Sequence, residues 1–185
     1  MIQVTEDFVK RTLRDYDHMI EQVDADVIRE TRRIRNKETS SERNAFIEAA
    51  SMPGRSMDGM PGGKSWTMDL QNVFDRYEDI DREYVNSTLM HLRILTEKKE
   101  AMNRIMICFL ALPEDRDKEV VKRVDILADS IKSGFIECKE ILGLEETSAK
   151  RYRRQGIQKI LQLYRSPYSN QQLMEQGVGH RALMC

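Results

Sequence analysis

Apolar residues near the start of the chain recur alternately four and three apart, at Val9, Leu13, Tyr16, Ile20, Val23, Val27 and Ile34. That is a coiled-coil seam. It predicts one long helix from Thr5 to Thr39, free of Gly and Pro, with Glu30 in an apolar slot. A second seam runs from Trp66 to Leu112 through Leu70, Val73, Tyr77, Ile80, Tyr84, Ser87, His91 and Ile94, and on to Ile105. Stripes this narrow each want one partner helix. Two of them predict an antiparallel hairpin within the chain or a homodimer between chains, and the spacing allows both. Between them lies "SMPGRSMDGMPGGKSW", Ser51 to Trp66, whose Gly and Pro residues predict turns rather than helix.

After Leu112 the pattern changes. Pro113 ends the second long helix. Val120, Val121, Val124, Leu127, Ala128 and Ile131 then share one face of a helix predicted over Glu114 to Lys132. Gly134 reads as a break, Phe135 to Leu142 as a short helix, Gly143 as a tight turn and Glu146 to Tyr164 as a longer helix before Pro167. The expected fold is therefore all-α: a coiled-coil-like antiparallel arm over 1–112 with its linker at 51–65, a three-helix unit over 113–166, and a tail over 167–185. The tail carries a short helical stretch from Gln171 to Gln176.

Composition narrows the function classes. The chain is 33% charged and 6% aromatic, which suits solvent-rich helices. No apolar run approaches the roughly 20 residues of a membrane span, and the N-terminus lacks an apolar signal core, so a cytoplasmic protein is expected. Cys108, Cys138 and Cys185 form no CxxC pair, and His18, His91 and His180 lie far from them. Two buried thiols, one tail thiol and no zinc or other cofactor are expected. His91 reads as a packed or snorkelling residue of the seam, not a ligand or a base. Asp15/Asp17 and Asp79/Asp81 are two apart and point in different directions on a helix, so they make no acid–base pair. Gly63-Lys64-Ser65 matches the end of a phosphate-binding loop, but the first glycine of that motif falls at Asp58 and no strand precedes it. No enzyme is expected.

Charge sign is uneven although the net charge is only −1. Between Thr147 and Ser166 stand Lys150, Arg151, Arg153, Arg154, Lys159 and Arg165 with no acid, so the remainder is net negative. Such a stripe is either a nucleic-acid-facing surface or a solvated helix face. Its surroundings fit the first, and on the residues alone both readings stay open. A helix-turn-helix wants Gly at the turn, apolar residues beside it and a small residue where the helices cross. Gly143, Leu142, Leu144 and Ala149 supply these, with Tyr152 at the next inward position. Lys139 stands four before the turn glycine, where a small residue is usual, so its stem would have to snorkel or the helix crossing would be altered. The candidate DNA-binding residues are Thr147, Ser148, Lys150, Arg151, Arg154 and Lys159, with Arg165 further along.

The segments "MPGGKS" (Met60 to Ser65), "ICFLALPEDRDKEVVKRV" (Ile107 to Val124) and "EILGLEETSAKRYRRQGIQKIL" (Glu140 to Leu161) resemble in layout the RinA/ArpU-like phage transcriptional regulators. The C-terminal region of that family is similar to the final promoter-reading region of bacterial sigma factors. "SGFIECKE" (Ser133 to Glu140) stands where the family usually has "GLSWEEIA". The resemblance implies a sequence-specific double-stranded DNA-binding activator of phage or prophage genes. Promoter DNA would be its partner, and the arm would meet host RNA polymerase or a second copy. The competing reading is a helical oligomeric DNA-packaging (small terminase) or adaptor protein that acts through the arm.

Overall fold

A computed structural model of the chain describes residues 3–35 and 70–175. The Ser51–Trp66 linker with its Gly63-Lys64-Ser65 near miss, the end of the first predicted helix at 36–39, and Cys185 lie outside the described residues. The protein is all-α, and no strand occurs among the described residues. The helices are α1 (Glu6–Arg35), α2 (Leu70–Ala111), α3 (Arg116–Val121), α4 (Ile131–Leu142) and α5 (Glu146–Arg165). α3 runs directly into a π-helical turn, Lys122–Leu127, and residues 170–175 are again helical.

The chain divides into two compact units, Met1–Asp24 with Thr96–Cys185, and Ala25–Leu95. The sequence pattern puts the boundary between arm and C-terminal unit at 112/113 instead. The core explains the difference. Val4, Val9 and Leu13 from the start of the chain share one buried cluster with Ile105, Phe109 and Leu112 of the second seam and with Val121, Ile157, Ile160 and Leu173. Fully burying each such side chain stabilises by about 1.5–3 kcal/mol, so these helices cannot be parted cheaply. Within this unit α1 and α2 run antiparallel: Tyr16 donates to Asn103 at 2.7 Å, and Lys99 pairs with Asp24 at 2.5 Å. α1 departs from helical geometry at Asp15 (φ −114°, ψ 26°), where neither Gly nor Pro forewarns of a kink.

The C-terminal helices also differ in detail from the predicted boundaries. Gly134 is no break. It lies inside α4, and a Cβ there would stand 2.6 Å from the Val124 Cα, so glycine permits close contact with the π turn. The real break is at 128–130. Ser130 and Ser133 form a reciprocal capping box that starts α4. The π turn, closed by the Ala128 amide bonded to the Arg123 carbonyl at 3.1 Å, shifts the helix phase. Val120, Val121 and Val124 are buried as expected, but Leu127 and Ile131 are exposed and Asp125 turns fully inward. The start of the tail is no loose extension: Leu173 is wholly buried, and the Arg104 guanidinium donates to the carbonyls of Tyr164, Ser166 and Tyr168 and to Asn170 Oδ1. These bonds satisfy carbonyls at and beyond the end of α5.

In the Ala25–Leu95 unit, Glu30 is buried as its apolar slot implied, and it accepts hydrogen bonds from Arg33 at 3.2 and 3.4 Å. The second seam is displaced there. Ser87, His91 and Ile94 face outward, while Thr88 is buried and Leu92 and Leu95 are half-buried. Thr88, Leu92 and Leu95 take the inner positions in place of Ser87, His91 and Ile94, so His91 is exposed rather than packed in the seam.

Candidate nucleic-acid interface

α4, the turn and α5 position the basic stripe. Gly143 ends α4 in the left-handed conformation (φ 63°, ψ 26°), which only glycine adopts without strain. The Leu144 amide then reaches back to the Cys138 carbonyl at 3.2 Å, closing the turn. Leu144 and Ala149 are buried in one cluster with Val120, Val124 and Cys138, against which Phe135, Leu142 and Tyr152 pack. Cys138 fills the inward slot beside the turn, so Lys139 stays exposed and has no need to snorkel. Deeper along α5, Gly156 lets the helix pass α3: a Cβ there would be 2.6 Å from Val121 Cγ2 and 3.0 Å from the Asp117 carbonyl oxygen.

With its inner face fixed in this way, α5 sorts its basic residues into two sets. Thr147, Arg151, Arg154, Gln158 and Arg165 are exposed at four-, three-, four- and seven-residue spacing, and so share one outward row. Lys150 is also exposed at the edge of that row. It bridges Glu146 at 2.6 Å, and its ammonium stands 5.8 Å from the centre of the Phe135 ring. Ser148 is half-buried. The second set serves the fold. Arg153 donates through Nε to Asp125 Oδ2 at 2.8 Å, and Arg14 approaches Asp125 Oδ1 at 3.5 Å. Lys159 pairs with Asp115 and Asp117, each at 2.6 Å. Lys159, a candidate DNA-binding residue, thus also links α5 to the start of α3.

Electrostatics follow from these contacts. Burial pushes the Asp115 carboxyl up, but hydrogen bonds from Lys159 and the Lys118 amide outweigh it and leave the group below its ordinary value. Bonds to Asp115 and Asp117 hold the Lys159 ammonium above its own. Hydrogen bonds from Arg116 and then Arg151 lower the Tyr152 phenol. Desolvation raises the Cys108 thiol to about 11, so this buried cysteine is inert as a nucleophile.

Beside the outward row lies an open groove of about 540 Å³ between α4 and α5, floored by Ile131, Phe135 and Ile136 and flanked by Lys139, Glu146 and Lys150. Among the described residues no cluster of His, Cys, Asp or Glu could hold a metal ion, and no helix is long and apolar enough to cross a membrane. Sequence reasoning misses Gln158 because it follows charge alone. It also passes over Glu146, although the i,i+4 spacing to Lys150 is visible. No family model, no curated protein and no solved structure matches the chain.

Proposed function

We propose that the chain is a sequence-specific double-stranded DNA-binding transcriptional regulator, an activator of phage or prophage genes acting in the cytoplasm. One observation carries this reading: α5 presents Thr147, Arg151, Arg154, Gln158 and Arg165 on one exposed row, with no acidic residue from 147 to 165, on an otherwise net-negative chain. A helix is the right width for the major groove, arginine pairs with guanine in bidentate fashion, and the remaining cations neutralise phosphates. α5 has 20 residues, so it spans roughly 30 Å and can follow the groove beyond its first turns. Lys159 takes a supporting part, holding α5 on α3 so that the row is presented rigidly.

Exposed Ile28, Leu89, Met90 and Ile94 in the Ala25–Leu95 unit favour a second reading, an adaptor that meets another protein there, whether a second copy or RNA polymerase. A salt titration of DNA binding separates the two. The wild-type chain should bind duplex DNA, prefer one selected sequence and lose affinity steeply with salt. Lys150→Ala/Arg151→Ala/Arg154→Ala should flatten the slope of log K against log salt by about 0.9 for each phosphate no longer neutralised. No binding by either protein at low salt would refute the DNA reading and leave the adaptor.

A further inference from the structure

The geometry points to Glu146 as a selectivity residue of the α5 surface, one that repels unspecific duplex and admits, at the base edge it meets, a base whose amino group donates, cytosine above all. This inference rests on the DNA-binding reading and deepens it. Glu146 stands one helical turn before Lys150 on the same edge of α5, and both side chains are well exposed, at 65% and 59%. Their 2.6 Å bridge, together with the Phe135 ring beneath the ammonium, holds Lys150 over the α4–α5 groove rather than outward. The hydrogen bond from Lys150 also holds the Glu146 carboxyl below its ordinary value.

An ionised carboxylate accepts hydrogen bonds and donates none. In the major groove, the edges of guanine and thymine present acceptors at N7, O6 and O4. Only the cytosine N4 and adenine N6 amino groups donate. Glu146 at a base edge is therefore unfavourable against guanine or thymine and against phosphate, and favourable against cytosine. Lys150 becomes free to bind phosphate only when a donor replaces it at Glu146. Arg151 and Arg154, whose bidentate partner is guanine, do not share this restriction. Affinity and selectivity thus come from neighbouring side chains of opposite sign.

The test uses the full chain. A duplex pool with randomised positions is enriched on the wild-type protein. Binding to the enriched duplex, to its single-base-pair variants and to an unrelated duplex is then measured by fluorescence anisotropy across salt concentrations. Glu146→Ala should tighten binding to the unrelated duplex and steepen its salt slope by about 0.9, as Lys150 is released. It should also reduce preference at one base pair by about five- to a hundred-fold, leaving the other positions unchanged. Glu146→Gln, which keeps the shape and adds a donor, should move that position toward adenine rather than abolish it. Equal weakening on both duplexes, or an unaltered preference at every position, overturns the inference while DNA binding stands. Failure of the wild-type chain to bind any duplex overturns the functional reading and this inference with it. Unchanged helical circular dichroism in both variants keeps a folding defect from imitating either result.

Discussion

Asp125 has no exposed surface and lies between two guanidinium groups: Arg153 donates to it through Nε at 2.8 Å and through Nη2 at 2.5 Å, and Arg14 lies 3.5 Å away. Asp125→Ala removes the shared counter-charge of both arginines. Breaking a buried pair by deleting one partner costs about 3–5 kcal/mol, chiefly because the remaining charge is left poorly solvated. Arg153 retains 15% of its side-chain exposure and Arg14 33%, so water relieves part of that cost. The lower end, about 3 kcal/mol, is therefore expected. For a chain of this size, that loss lowers the unfolding midpoint by roughly 6–12 °C. Thermal and urea unfolding followed by helical circular dichroism measure it. The exposed Asp129→Ala, four residues on, controls for charge alone and should stay within about 0.5 kcal/mol. Asp125→Leu/Arg153→Met should recover most of the loss, since an apolar pair of similar volume often replaces a buried ion pair without penalty. A loss below about 1 kcal/mol in Asp125→Ala would refute the argument that this carboxylate is an obligatory partner inside the π turn.

Two glycines should rank by what their new methyl meets. Gly134→Ala drives a Cβ against the Val124 backbone at 2.6 Å, whereas Gly156→Ala meets a side-chain methyl of Val121 at 2.6 Å and the Asp117 carbonyl oxygen at 3.0 Å, so both should lose about 1–3 kcal/mol in urea unfolding, with Gly134→Ala the worse. The Lys159 latch should act over a defined pH window. The lowered Asp115 pKa makes its contribution present above the ordinary 3.8 and lost as pH falls through the folded value. The raised Lys159 pKa makes its own contribution present below the ordinary 10.5 and lost as pH rises through the folded value. In Asp115→Asn, the fall in stability from neutral to acid pH should be shallower than in wild type; an identical pH profile would show that the latch contributes nothing.

Much of the helical content is legible because apolar spacing reports helix directly, and the Gly143 turn with Leu144 and Ala149 is legible because each residue has a specific steric task. Other features leave no local trace. Gly134 looks like a breaker in sequence, and only the nearness of Val124 shows it to be a packing residue. The π turn has no signature of its own. Its effect, Asp125 in and Leu127 out, depends on Arg14 and Arg153 arriving from distant parts of the chain. The second seam is misphased through Ser87, His91 and Ile94 because a count of three and four fits two neighbouring stripes, and Thr88, Leu92 and Leu95 lie on the one that turns inward. Within the stripe on α5, charge locates the surface. It cannot tell Arg154, which faces out, from Arg153, which is spent on Asp125.

The core that unites Val4, Val9 and Leu13 with Ile157, Ile160 and Leu173 also sets an order of events during synthesis. Val4, Val9 and Leu13 leave the ribosome well before the residues that bury them. Even the near partner of Tyr16, Asn103, follows 87 residues later. Until α5 has emerged, the apolar side of α1 has no complete surface to close upon. Closure then proceeds through contacts distant in sequence, the class of contact that slows folding and lengthens exposure of apolar surface. The apolar side of α1 thus waits for α5, and a chain stopped before Ile157 would lack part of the core on which Val4, Val9 and Leu13 close.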